Sequence, residues 1–158
     1  MKFSTVLAFA ALFFVLSSPT LLAKSNEEYR SEADQYYSEQ NFKKAYKIYF
    51  KLAKMGDHYS QGQLANMLVN GEGKEVDLEK AYGWSTLAAE GGDEMLSQQS
   101  DELLEQIGDK AKAEQTAARL MKKYGQDALE EKARKRENRL RAHEMGGCTG
   151  SKLGCSGS

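Results

Sequence analysis

The chain has 158 residues, of which 22 are basic and 23 acidic, for a formal net charge of −1. That balance excludes a general binder of nucleic acid or of anionic surfaces. The single proline, Pro19, leaves every later position free of the residue that breaks helices by lacking an N–H, and an all-α chain is expected.

Residues 1–23 read as a secretory signal peptide. Lys2 gives the positive start, Val6 to Leu16 is almost wholly apolar, and Ser17-Ser18-Pro19 breaks the run before Leu21-Leu22-Ala23, the expected cleavage site. The uninterrupted apolar run is shorter than the ~20 residues a spanning helix needs, so an uncleaved anchor is the weaker alternative. No stable membrane span is expected after cleavage. A periplasmic or secreted location follows, with a mature chain from Lys24.

Residues 24–125 carry the helical pattern. Around Ala33, Tyr29, Tyr36 and Tyr37 mark a first helix; Glu39-Gln40-Asn41-Phe42 makes a short loop with Asn41 as N-cap; a second helix carries Ala45, Tyr46, Tyr49, Phe50, Leu52 and Ala53. Gly56-Asp57 ends it, and His58 begins a third helix as a capping or surface residue. Leu64, Met67 and Leu68 lie on that helix. Gly71-Glu72-Gly73 supplies positive-φ positions, Asp77 caps a fourth helix through Leu78, Ala81, Tyr82, Ser85, Ala88 and Ala89, and Gly91-Gly92 stops it. Tyr36, Tyr46, Tyr49, Phe50 and Trp84 are expected in the core.

The two pairs are copies of one another. Lys44-Ala45-Tyr46 recurs as Lys80-Ala81-Tyr82, Ala53 as Ala89 and Gly56-Asp57 as Gly92-Asp93, each 36 positions on, whereas Ala33 and Ala65 on the first helices are 32 apart. The second copy therefore has a loop four residues longer. One helical hairpin cannot bury its apolar face alone, so the copies must stack.

The second copy resembles a Sel1-like repeat through Leu64, Gly71-x-Gly73, Asp77, Lys80-Ala81, Trp84, Ala88-Ala89 and Gly92. The first is similar to the related tetratricopeptide repeat through Tyr29, Ala33, Tyr36, Ala45, Tyr49 and Leu52. Ala65 stands where the Sel1-like pattern has glycine, Leu68 where it has tyrosine, and Asp57 where a tetratricopeptide unit has proline. The resemblance implies a concave groove lined by first helices, with Arg30, Asp34, Tyr37, Tyr59, Asn66 and Asn70 as partner-binding residues. Arginine and asparagine would hydrogen-bond a peptide backbone or carboxylate there, and tyrosine would add contact area.

Beyond Gly92, Asp93 caps a helix through Met95, Leu96, Leu103, Leu104 and Ile107, and Gly108-Asp109 precedes another over Ala111 to Tyr124. These form a third, capping hairpin. Residues 126–145 read as a solvated charged helix whose 132–141 basic segment offers a weak anionic-surface contact. Residues 146–158 form a Gly/Ser/Cys tail. Its Cys148 and Cys155, the only cysteines, read first as an intrachain disulfide, with a redox-active pair or exchange with a partner as alternatives.

The sequence shows no Gly-x-Ser-x-Gly elbow, no His-Glu-x-x-His and no zinc-type spacing around His58 or His143. The expectation is an all-α short α-solenoid of about three antiparallel hairpins, without catalytic residues, metal or cofactor. Its expected role is that of an adaptor binding another protein or peptide and no nucleic acid. The alternatives are an exported enzyme of the Sel1-like β-lactamase type, although Ser-x-x-Lys is absent from the repeats, and a thiol redox protein using the cysteine pair.

Overall fold

Helices in this chain start where a side chain accepts the first free backbone N–H groups. Ser25 opens α1 (Asn26–Ser38) with a capping box, its hydroxyl accepting from the Glu28 N–H while the Glu28 carboxylate accepts from the Ser25 N–H. Asp57 caps α3 (His58–Asn70) through the Ser60 N–H, Asp77 caps α4 (Leu78–Ala89) through the Lys80 N–H, and Asp93 and Asp109 do the same for α5 (Glu94–Gln106) and α6 (Lys110–Tyr124). The computed structural model describes residues 24–146. The expected signal segment, Cys148 and Cys155 lie outside the described residues.

One cap differs from expectation. Asn41 stands at the cap position of α2 (Phe42–Ala53), but its side chain makes no capping hydrogen bond. The turn is closed instead by Gln40 at φ 57 and by the Asn41 N–H donating to the Tyr36 carbonyl at 2.8 Å.

The described residues contain helices and no strand, and their packing follows the repeat. α1 lies on α2, α2 on α3 and α3 on α4. Equivalent positions share an environment: Ala33 and Ala65 are fully buried, as are Ala45 and Ala81, and Gly56 and Gly92 both hold positive φ just before the capping aspartates. The core runs along the stack through Tyr49, Leu52, Leu64, Met67, Trp84 and Leu87. Tyr49 and Trp84 are buried as expected, whereas Tyr36, Tyr46 and Phe50 are half-buried at its margin.

The four extra residues of the second copy lie between α3 and α4, over Gly71–Asp77, and they clasp the first copy. The Tyr37 hydroxyl donates to Glu72 at 2.9 Å. At Gly73, with φ +75, a Cβ would sit 2.5 Å from the Phe42 carbonyl oxygen, so only glycine lets the loop lie on the start of α2.

The third pair is looser than a hairpin. α5 and α6 touch one another little, and each packs mainly on α4. The Ser85 hydroxyl meets the Leu96 carbonyl at 3.3 Å on the α5 side, and Gly83 lets Ala117 and Leu120 of α6 approach on the other. His58 is corrected from a capping or surface residue. Its Nδ1 lies 3.1 Å from the Gln61 Oε1 and 3.2 Å from the Leu87 carbonyl, so it ties α3 to the end of α4.

α7 (Gln126–Gly146) starts where Glu90 accepts the Gln126 N–H at 3.2 Å, and Leu129 rests over Gly56. Residues 132–144 are exposed, in line with the expected solvated helix. No helix of the described residues is long and apolar enough to cross a membrane.

Candidate functional site

Five of the six residues expected in a first-helix groove are engaged within the fold. Arg30 pairs through Nη2 with Asp57 at 2.8 Å and through Nη1 with Glu27 at 2.8 Å. Asp34 accepts from the hydroxyls of Tyr49, at 2.5 Å, and Tyr59, at 2.9 Å. Tyr37 is bonded to Glu72, and Asn66 accepts from the Gln99 side chain. Asn70 is exposed at the end of α3. The structure thus joins Asp34 and Tyr59 with Tyr49 in one network across α1, α2 and α3, and sets Arg30, Tyr37 and Asn66 in separate contacts with Asp57, the α3–α4 loop and α5.

An open cleft lies elsewhere, along the second helices of the three units. It has a volume of about 1250 Å³, with α2 and α6 as walls, the α3–α4 loop at one end and α4 as floor. Each helix supplies a stripe at helical spacing: Lys43, Tyr46 and Phe50 from α2; Asp77, Lys80 and Trp84 from α4; Thr116, Arg119, Leu120, Lys123 and Tyr124 from α6. None of the six expected groove residues lines it.

The floor is a ladder of four aromatic rings. Tyr46 stacks on Phe50 with centroids 6.1 Å apart, Phe50 meets Trp84 edge-on at 5.9 Å, and Trp84 stacks on Tyr124 at 5.5 Å. Such pairs hold the three helices in register, with Trp84 buried and the half-buried Tyr46, Phe50 and Tyr124 forming the apolar surface over it. Burial pushes the Tyr46 phenol above its ordinary pKa, so it is a neutral hydrogen-bonding group at physiological pH.

The rim is cationic. Lys80 is neutralised by Asp77: burial works against the Asp77 carboxylate, but the hydrogen bonds from the Lys80 ammonium and N–H prevail and hold its pKa low. Among the described residues Lys43, Lys74, Arg119 and Lys123 form no ion pair with a carboxylate. Arg119 donates only to the Thr116 hydroxyl, at 3.0 Å, and the Lys123 ammonium lies 5.0 Å from the Tyr124 ring centroid. Glu75 is the sole acidic lining residue besides Asp77.

The arrangement can hold a ligand by stacking and by charge. No cluster of three metal-ligating side chains occurs among the described residues. Comparison with family models, with curated proteins and with solved structures gave no match.

The packing role that the sequence predicts for Tyr46, Phe50 and Trp84 holds, while Arg119 and Lys123 are not among its candidate residues. A signal was present in the spacing of Thr116, Arg119 or Leu120, and Lys123 or Tyr124, which puts cations and apolar residues on one face of α6.

Proposed function

We propose that the protein is a binding module for another protein or peptide, an adaptor without chemistry of its own, and that it engages its partner in the cleft walled by α2 and α6. The observation that carries this reading is the row of half-buried rings, Tyr46, Phe50 and Tyr124, beneath a rim of cations that form no ion pair among the described residues. The groove, with a volume of about 1250 Å³, has room for a segment of chain. Kinship with Sel1-like and tetratricopeptide repeats is part of the same proposal, supported by the in-phase capping aspartates and buried alanines. Export to the periplasm or outside the cell belongs to it as well, on the strength of residues 1–23.

The test is site-specific photo-crosslinking in the full chain, with the reactive residue at Thr116 on the cleft wall or at Asn70 on α3. The expected result is a discrete protein adduct from Thr116 that is lost when Lys43 and Lys123 are both changed to glutamate. Absence of any protein adduct from either position, or turnover of a substrate by the purified chain, would overturn the reading.

A further inference from the structure

We infer that the occupant of the α2/α4/α6 cleft is a carboxylate-rich peptide segment that sets one aromatic or long aliphatic side chain against the half-buried rings of Phe50 and Tyr124. The inference rests on the binding reading above and adds the chemistry of the partner. Two observations carry it.

The first is charge. Cations stand on both walls, Lys43 on α2 with Arg119 and Lys123 on α6, and Lys74 stands at the loop end. None has a carboxylate partner within the described fold, while Lys80 beside them does. An incoming carboxylate therefore displaces no existing ion pair, and Arg119 can grip it in a two-point hydrogen bond. A basic or neutral segment would leave the rim uncompensated.

The second is shape. The apolar strip lies in an open groove between two helices, where the half-buried Tyr46, Phe50 and Tyr124 rings are its reachable surface and cover Trp84, which is only 2% exposed. A flat bilayer would meet the rim without reaching the floor. A side chain projecting from an extended strand reaches both, since successive residues alternate between facing the rim and facing the floor. Four rim cations also fall short of the long basic track that tracks a nucleic-acid backbone.

Trp84 is the only tryptophan and stacks against Tyr124, so its fluorescence reports a change at that ring on occupancy. The experiment titrates the full chain with a short synthetic acidic peptide carrying a central phenylalanine. Parallel titrations use the same peptide with alanine at the centre, one with glutamine for every glutamate, and phosphatidylglycerol vesicles. The Arg119→Glu, Lys123→Glu double variant changes two exposed positions on the wall. The Lys122→Glu, Arg136→Glu variant makes the same charge change away from it.

The acidic phenylalanine peptide is expected to shift Trp84 emission and to bind about tenfold more weakly at ~300 mM than at ~50 mM salt. Loss of the central ring is expected to cost about tenfold. The wall variant should bind at least about tenfold more weakly and the control variant unchanged. Equal binding of the glutamine peptide, indifference to the central ring, or a Trp84 response to vesicles alone would overturn the inference. If a protein crosslinks at Thr116 through a neutral or basic segment, the adaptor reading survives and this one falls; if no protein crosslinks, both fall.

Discussion

The Tyr124 ring lies 5.5 Å from the Trp84 ring and 20° from parallel to it, so the last residue of α6 closes against the middle of α4. This stack fastens the third unit to the second and completes the floor of the cleft. Tyr124→Ala is expected to lower the free energy of unfolding by about 2 kcal/mol, since it removes a half-buried ring and its stacking on Trp84. Urea unfolding followed at Trp84 measures it, and the native emission should shift to the red as water gains access to the indole.

Gly73 carries the junction between the first two units. Gly73→Ala meets both a positive φ and the Phe42 carbonyl oxygen, so a loss of about 1–3 kcal/mol is expected in thermal or urea unfolding. Gly108 is the matched control: nothing lies within 4 Å of its would-be Cβ, and Gly108→Ala should be close to neutral.

Much of this was legible in the sequence because repeat packing depends on small residues and caps at fixed offsets. Ala33, Ala65, Ala45 and Ala81 are buried where the copies superpose, and Asp77 and Asp93 cap the helices that the pattern assigns to them. The site was less legible. Whether Arg30 faces solvent or Asp57 depends on how α1 sits against the start of α3, and one-dimensional spacing does not encode that. The same holds for the cleft: Lys43 and Lys123 lie 80 positions apart in the chain, and only the packing of α6 on α4 makes them opposite walls.

Arg30 is expected to contribute to stability through its pairing with Asp57, whose side chain is only 9% exposed. Arg30→Ala should cost about 1–2 kcal/mol in urea unfolding, less than breaking a fully buried pair because the arginine side chain is 35% exposed. Asp57→Ala should cost more, since it also removes the cap of α3.

The Tyr49 phenol is held protonated by burial first and then by the hydrogen bond it donates to Asp34. Its folded-state pKa is raised above the unfolded value of about 10, so its contribution is fully present below that pH and is lost as pH rises beyond it. Stability is therefore expected to fall steeply from about pH 10 upward. Tyr49→Phe should cost about 1 kcal/mol at neutral pH and make the alkaline fall shallower. Urea midpoints for both chains across that range measure the effect.

The central claim, recognition along the second helices, is tested most directly by amide hydrogen exchange on the full chain with and without the partner recovered by crosslinking. Slowed exchange is expected in the Lys74–Asp77 loop and along Thr116–Tyr124. Slowing confined to α1 and α3, around Asp34 and Asn70, would contradict the claim and return the binding surface to the first helices.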